Sequence, residues 1–363
     1  GPADGTLTLT LGAAKVLDRA GLAGPTTAAS RTINFAEESN PPTAVVYTVP
    51  TSGAPVGTSY SVTVNFDEPV TGFGTSDIVL GGSSQAATPW TRELIYGQGA
   101  HYEFTLDRVA PADGTLTIQI NGSGVQDLAG NAGDGSNVVT RIIDHSAPTT
   151  TTPKASLRSG TTLGDGTMRV ALTWAGTDIG PSGIQSYDIQ RKRDSGAYET
   201  VGSATSASFN WAVTPGHTYV FRIRARDKAG NVGAWKAGPI LTAALTQQSS
   251  SAVSYAGPTT STSFSEYSGG SQRYLAAAGA SASYTTTARS LSFVTTKGPN
   301  RGSARIYIDG VLVTTVNLNT SGYTYRFVAF ATTWSTAATH TIKVVSVGTP
   351  VARVDVDAFG VIR

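Results

Sequence analysis

Hydrophobic and polar residues alternate with a period of two along most of the chain. In the first half, the alternation is clearest at residues 60–66, 102–106, 115–120 and 138–143. A period of two is typical of a strand with one buried face, and Gly, Pro or Asp residues bound each segment as turn signals. No helical periodicity extends beyond two turns. The pattern therefore predicts an all-β fold of many short strands.

The second half contains the clearest hairpin pattern. Residues 304–318 read "ARIYIDGVLVTTVNL", with Asp309 and Gly310 between two alternating runs. An Asp-Gly pair in this position predicts a two-residue type I′ turn, because both central residues of that turn have positive φ. Further alternating runs follow up to the last residue, so the region 254–363 is predicted to be a separate β-sandwich.

A repeat links the first residues of the chain to a later segment. "PADGTLT" occurs at 2–8 and again at 111–117, an offset of 109 residues. The sequence predicts the same register from Asp18/Asp127 through to Ile33/Ile142. A unit of about 100 residues suits a β-sandwich rather than a solenoid. Residues 1–35 are thus predicted to be the final two strands of such a domain.

Two strands alone cannot bury a core, so this first copy needs a cover for its apolar residues. Three covers are open: a separate chain with the missing strands, a neighbouring copy of this chain, or the following domain. We expect an intermolecular partner, either self-association or an upstream part of the same polyprotein. The residues to be covered are Leu7, Leu9, Leu11, Val16, Ile33 and Phe35.

Composition narrows the function classes. Charged residues make up 14% of the chain and the net charge is +2, without a Lys/Arg cluster, so no nucleic-acid partner is predicted. There is no Cys, which excludes disulfides and thiolate metal sites. No stretch approaches the roughly 20 apolar residues of a membrane helix. With Met168 as its sole methionine, the chain is expected to be part of a longer secreted precursor or an expression fragment.

Two stretches carry a family resemblance. "VTVNFDEPVTGFGTSDIVL" at 62–80 and "DGTLTIQINGSGVQDLAGNAG" at 113–133 are similar to the bacterial immunoglobulin-like repeats of large surface proteins. The resemblance implies a bacterial Ig-like domain over 41–145. It also implies that residues 1–40 are the C-terminal fragment of another.

Two further resemblances divide the rest of the chain. Residues 154–244 resemble a fibronectin type III domain, with Trp174 as its core tryptophan and Tyr219 as its corner tyrosine. A polar linker of flexible type is predicted at 245–254. Residues 254–363 resemble the jelly-roll module at the C-terminal end of many bacterial extracellular proteins, which is related to carbohydrate-binding domains. The predicted architecture is tandem Ig-like/fibronectin III β-sandwiches followed by a jelly-roll β-sandwich.

No catalytic centre is predicted. The four histidines have no partner at metal-ligand spacing, and the chain contains no G-x-S-x-G, phosphate-loop or H-E-x-x-H motif. The two D-x-A-G-N stretches, at 127–131 and 227–231, offer oxygen atoms that suit calcium. The favoured interpretation is a tight turn, in which Gly and Asn accept left-handed dihedral angles.

A second calcium candidate lies in "VDVDAF". On a strand, Asp355 and Asp357 share one face, and two such carboxylates repel each other unless a cation or hydrogen-bond donors lie near. The resemblance to carbohydrate-binding modules implies a structural Ca²⁺ at an Asp of this last strand. Glu266 is the acidic residue before the hairpin that would supply a second ligand.

A glycan-binding site needs aromatic faces flanked by hydrogen-bonding groups. In or beside loops of the last module, the sequence offers Tyr267, Tyr274, Tyr323, Tyr325 and Trp334. The polar candidates are Lys297, Asn300 and Arg301 in "KGPNRG". The competing interpretation is that Trp334 and at least two of the tyrosines are core or strand-pair residues.

These observations predict a non-catalytic protein located outside the cell or on its surface. In the first hypothesis, a β-sandwich stalk presents a module that binds a polysaccharide or cell-surface glycan in adhesion. In the second, the chain is a structural subunit of an extracellular fibre or surface layer. In the third, it is an accessory region of a secreted glycoside hydrolase or protease.

Overall fold

A computed structural model describes residues 5–14, 16–24, 26–35, 38–49, 59–84, 90–108, 112–348 and 352–363. Over these residues the protein is all-β, with three 3₁₀ turns of three residues each at Thr75–Asp77, Gly122–Gly124 and Ser268–Gly270. No helix among the described residues has the length and apolar character needed to cross a membrane. The chain forms two units, 1–146 with 180–182 and 228–230, and 147–179 with 183–227 and 231–363.

The first unit begins with an isolated hairpin. Strand β1 (Gly5–Leu11) pairs antiparallel with β2 (Ala29–Phe35) in a two-stranded sheet. The side chains of Leu7, Leu9 and Ile33 are 59%, 75% and 53% exposed. The cover that the sequence predicts for these side chains is therefore not supplied by the following domain in the described structure. The intermolecular partner stays a prediction.

The remainder of the first unit is a two-sheet sandwich. Its strands are β3 (Thr43–Val49), β4 (Ser59–Phe66), β5 (Val70–Thr71), β6 (Ile78–Gly81), β7 (Thr91–Gln98), β8 (His101–Asp107), β9 (Gly114–Ile120), β10 (Gln126–Asp127), β11 (Gly135–Ser136) and β12 (Val139–Ile143). One sheet has the order β11-β3-β4-β8-β7, the other has the order β12-β9-β6, and β5 and β10 pair with each other in a separate two-stranded sheet. Alternate residues of β4, β8 and β9 meet in one core, as the period of two predicts.

The second unit begins with a region of ten strands. These are β13 (Thr149–Thr150), β14 (Lys154–Leu157), β15 (Met168–Thr173), β16 (Gly176–Thr177), β17 (Ile184–Arg193), β18 (Tyr198–Ala204), β19 (Ser208–Val213), β20 (Thr218–Asp227), β21 (Lys236–Ala237) and β22 (Leu241–Gln247). Trp174 lies in the core, and the buried Tyr219 accepts a hydrogen bond from the Thr214 N–H at 2.9 Å. Both residues have the placement that the fibronectin resemblance implies; that family assignment stays a prediction.

The last region adds nine strands to the second unit. These are β23 (Val253–Ala256), β24 (Thr259–Ser263), β25 (Ser271–Leu275), β26 (Ser281–Lys297), β27 (Ser303–Ile308), β28 (Val311–Asn317), β29 (Thr324–Ser346), β30 (Val354–Val356) and β31 (Ala358–Ile362). A small sheet has the order β24-β25-β30. The other strands join the large sheet described next, and their inner residues form a second core around Phe293 and Phe359.

The prediction of a flexible linker at 245–254 is wrong. Strand β22 covers its first residues and pairs with β31 from Ala243↔Ile362 to Gln247↔Ala358, after pairing with β20 at its start. One sheet of 11 strands consequently runs from β18 to β28 through β22. Val294 and Val328 of the last region also lie in the core of the region before it. The polar residues that indicated a linker lie at the end of this strand, at Thr246 and Gln247, and in the turn at 248–252 that leads into β23.

The prediction of a turn at Asp309-Gly310 is confirmed. Asp309 and Gly310 have φ of 52° and 84°, and they join β27 to β28 with Ile308 opposite Val311, as a type I′ turn requires. In the two D-x-A-G-N turns Gly130 and Gly230 have positive φ of 96° and 92°, whereas Asn131 and Asn231 do not. In both D-x-A-G-N stretches the Asp accepts hydrogen bonds from the backbone and the side chain of the Asn. For Asp127 and Asn131 the distances are 2.8 and 2.7 Å.

The repeat register differs by one residue from the predicted register. Leu7 lies opposite Ile33 in the first copy, whereas the equivalent Leu116 lies opposite Arg141 rather than Ile142. Ile142 is thus directed outward and is 46% exposed. A slip of one residue moves a whole strand to the other face, and the connection before β12 is one residue shorter than a constant offset requires.

Candidate functional site

An open depression lies on the last region, with a volume of about 780 Å³. Four separate segments build it: the end of β24 with the loop after it, β25 and the residues that follow, the turn at 300–301, and the segment 323–325. The segment before β30 closes it with Arg353. Because these segments lie far apart in sequence and are joined by sheet pairing, the tertiary fold creates the site.

The structure brings together six of the seven residues predicted to bind a glycan. The six that line the depression are Tyr267, Tyr274, Asn300, Arg301, Tyr323 and Tyr325. Lys297 does not line it, because the Lys297 ammonium lies 4.9 Å from the centre of the Phe327 ring. Trp334 stacks on His340 at 3.6 Å between ring centres and packs beside the core, in agreement with the competing interpretation.

The lining includes residues that the sequence reasoning missed, chiefly Phe264 and Arg353, with Ser263 and Ala276. A signal for Arg353 was present. On an extended segment, residues two apart share a face, so Arg353 follows the same side as Asp355. Phe264 gave no such signal, because it lies in a Ser-rich segment whose position depends on the pairing of β24 with β25.

Aromatic rings form one wall of the depression. Tyr323 and Tyr325 stack with ring centres 5.7 Å apart and an interplanar angle of 5°. Tyr325 also contacts Phe264 at 5.3 Å with tilted rings and Tyr267 at 5.7 Å in an edge-to-face arrangement. Tyr323 and Phe264 are 53% and 46% exposed, while Tyr267 is buried. The wall thus has a supported inner ring and exposed outer faces, which is the arrangement that stacks on a flat apolar ligand surface.

Two guanidinium groups stand beside these rings over a buried carboxylate. Arg301 donates from Nε to Asp355 Oδ2 at 2.5 Å, and Arg353 Nε lies 3.0 Å from Asp355 Oδ1 in an ion pair. The side chain of Asp355 is fully buried. Burial raises the pKa of Asp355, and the two arginines oppose that rise. Asp355 holds both guanidinium groups in place.

The three calcium candidates do not converge. Asp355 pairs with the two arginines, and Glu266 lies 3.7 Å from Arg326. Asp357 accepts the Ser268 N–H at both oxygens, at 3.0 and 3.2 Å, and burial raises its pKa to about 7. This arrangement does not fit one shared Ca²⁺ ion, because each carboxylate has a different partner. Calcium binding by the chain stays a prediction.

One acidic group in the first unit includes a D-x-A-G-N aspartate. Carboxylate oxygens of Glu38, Glu68 and Asp127 lie within 4.8 Å of one another. The Asn131 amide donates to Glu38 and to Asp127, at 2.8 and 2.7 Å. Exposed acidic groups are common without an ion, and the hydrogen bonds account for the position of Asp127 as part of the turn.

Comparison with known proteins identifies one part of the chain. Residues 38–142 match the family described as "Bacterial Ig-like domain". A segment of 114 residues is 40% identical to Exoglucanase B of Cellulomonas fimi. That match covers 30% of this chain, and the chain spans about a tenth of the length of that enzyme.

Likenesses to solved structures are weak. Paenibacillus xanthan lyase gives a TM-score of 0.28 at 11% identity, over 85% of this chain and 34% of the other. The exo-β-1,3-galactanase of Phanerochaete chrysosporium gives 0.26 at 9% identity, over 84% and 79%. At these scores neither likeness bears on the function of this chain.

Proposed function

We propose that the chain is a non-catalytic, extracellular β-sandwich protein whose last region binds a polysaccharide at the depression. The observation that carries the proposal is the gathering of exposed aromatic faces and polar side chains from distant segments into one open concave surface. A pyranose ring has C–H groups on its faces and hydroxyls around its rim. It therefore complements an aromatic wall bordered by hydrogen-bonding groups.

Exposed aromatic rings support this proposal further. Tyr323 leaves more than half of its surface in water, although the core of the same region buries Phe293 completely. Stacking against a sugar would remove these faces from water. An adhesive role at a cell surface is the setting that we propose for such binding.

Binding is tested with the 363-residue protein by titration calorimetry against a panel of soluble oligosaccharides. Tyr323→Ala is expected to weaken binding at least tenfold, because it removes the most exposed stacking face. Tyr47→Ala is the matched control, since Tyr47 is 55% exposed and lies on β3 in the other unit. Equal affinities of the Tyr323 variant and the control would refute the site. Release of reducing ends during incubation would refute the non-catalytic role.

Two alternatives rest on separate observations. The exposed leucines of β1 favour a structural subunit that assembles through its β-domains, and sedimentation of the chain as ordered multimers would support that role. The identity to Exoglucanase B over 114 residues favours an accessory region of a secreted glycoside hydrolase. Increased retention of a fused catalytic domain on its polysaccharide would support this third role.

A further inference from the structure

The depression has an uneven charge. Of the described residues that line it, Arg301 and Arg353 are cationic and none is Asp or Glu. The carboxylate that pairs with both arginines, Asp355, is fully buried. Glu266, next to the lining residue Tyr267, pairs with Arg326 at 3.7 Å. With Asp355 ionised, two positive charges face one negative charge; with Asp355 protonated, no negative charge opposes them. The depression is therefore net positive in either state.

The lining is also rich in hydrogen-bond donor groups that cannot act as hydrogen-bond acceptors. A guanidinium has five N–H donors and no acceptor. Arg353 Nε lies 3.0 Å from Asp355 Oδ1 in an ion pair without a hydrogen bond, and among the described residues no protein acceptor bonds its two Nη atoms. Arg301 directs Nε to the same carboxylate and Nη1 to the Pro299 carbonyl oxygen at 3.3 Å. The N–H groups left over call for a ligand acceptor.

Aromatic rings fix the orientation of these groups. The Arg353 guanidinium carbon lies 4.3 Å from the Tyr274 ring centre, and that of Arg301 lies 5.2 Å from the Tyr323 ring centre. Cation–π contacts and the shared Asp355 hold both guanidinium groups in place before a ligand binds. A preorganised guanidinium pairs with a carboxylate through two parallel hydrogen bonds.

We propose that the depression binds an acidic saccharide, with the carboxylate of a uronate residue on Arg353 and Arg301 and the sugar ring against Tyr323. This inference rests on the proposed function and adds the ligand class. A neutral sugar would leave the guanidinium donors to hydroxyl oxygens alone. A carboxylate is acceptor-only when ionised, so it matches the donor-only groups and the net positive charge.

The experiment compares uronate trisaccharides with their carboxyl-reduced counterparts, which keep the ring and the linkage but lack the charge. Galacturonate, guluronate, mannuronate and glucuronate forms are titrated into the 363-residue protein at low and high salt. We expect at least one acidic form to bind about tenfold or more tightly than its reduced counterpart. We also expect added salt to reduce this preference.

Variants assign the preference to residues. Arg353→Gln is expected to abolish the acidic preference, so that the acidic and the reduced sugar bind this variant with equal affinity. Arg353→Lys keeps the positive charge but loses the planar guanidinium that forms two parallel hydrogen bonds. It is expected to retain only part of the acidic preference. Arg305→Gln is the matched control, because Arg305 is an exposed arginine on β27 outside the depression. Unchanged melting temperatures show that each variant folds.

Each outcome separates the inference from the proposed function. If acidic and reduced sugars bind equally well, the glycan site stands and the uronate inference is overturned. If no sugar in either series or in the neutral panel binds, the proposed function fails and the inference fails with it. If dextran sulfate competes as strongly as the uronates and Tyr323→Ala has no effect, the attraction is a general one for polyanions. That result also overturns the inference.

Discussion

Leu7 and Leu116 occupy equivalent positions in the two copies of the repeat, and each lies on a strand with an antiparallel partner. Leu7 is 59% exposed, whereas Leu116 is completely buried. The difference comes from the surroundings. Strand β9 lies between β6 and β12 and contributes to a core shared with β4 and β8, whereas β1 pairs with β2 alone. The alternating pattern thus selects which face is apolar, and a second sheet is needed to bury that face.

The largest expected effect contrasts these two leucines. Leu116→Ala should lower the free energy of unfolding of the Ig-like domain by about 2–5 kcal/mol, because it leaves a cavity in a filled core. Leu7→Ala should change the stability of the β1–β2 sheet by less than about 0.5 kcal/mol, as at other exposed positions. Urea unfolding combined with hydrogen exchange measures both values, at the β9 amides for Leu116 and at the β1 amides for Leu7.

An equally large cost for Leu7→Ala would break the comparison. It would mean that Leu7 is covered in solution, as the intermolecular hypothesis for residues 1–35 requires. Sedimentation of the purified chain at several concentrations then separates a neighbouring copy from the following domain as the cover, because only the association between copies depends on concentration.

The second prediction applies the same comparison, between the sequence pattern and the burial that the fold imposes, to an acidic side chain. The pattern places Asp357 on a polar face, yet the fold buries it with one N–H donor, and burial raises its pKa to about 7. The folded state then binds more protons than the unfolded state, so stability is present at low pH and falls as pH rises toward 7. Between pH 5 and 8 the loss should be about 2–3 kcal/mol.

Asp357→Asn tests this cause directly. The variant cannot ionise, so its melting temperature should show little of the decline from pH 5 to 8 and should exceed that of the parent protein at pH 8. Asp165→Asn is the control, since its carboxylate is fully exposed. A parent protein whose stability is constant over this range would contradict the raised pKa.

The smallest expected effect compares the turns of the two copies. Asp127 accepts from the backbone and the amide of Asn131, whereas among the described residues Asp18 accepts only from the Ala20 and Leu22 backbones, at 2.8 and 3.0 Å. Asp127→Ala should therefore lower the melting temperature by a few degrees, at about 4–8 °C per kcal/mol for a domain of this size. Asp18→Ala should leave it unchanged. Equal shifts would show that the first turn also supports a folded core.

Local features of the fold could be predicted from sequence. The alternation located β4, β8, β9 and β12 to within one residue, and Asp309-Gly310 specified its turn, because both features depend on neighbouring residues. Strand β22 could not be predicted in the same way. Its polar residues resemble a linker, and only its pairing with β31, more than 100 residues later, makes them part of a sheet.

The candidate site likewise has features that could be predicted from local sequence and features that depend on long-range pairing. The sequence supplied most of its aromatic and polar residues, because loops next to strands are where such residues are exposed. It could not show that Lys297 turns toward Phe327, or that Arg353 completes a pair with Arg301. Those facts depend on the register of long strands, which the bulges of β26 against β29 shift between Ala288 and Lys297.

Strand β22 has a consequence for how a ligand is held. Since its backbone hydrogen bonds continue from β20 into β31, the depression keeps one orientation relative to the region before it. A region on a flexible tether would tumble separately and would lose that freedom when both of its ends were fixed. Here the freedom is already lost during folding. Tension between a bound polymer and the rest of the chain would be borne by the hydrogen bonds of a continuous sheet.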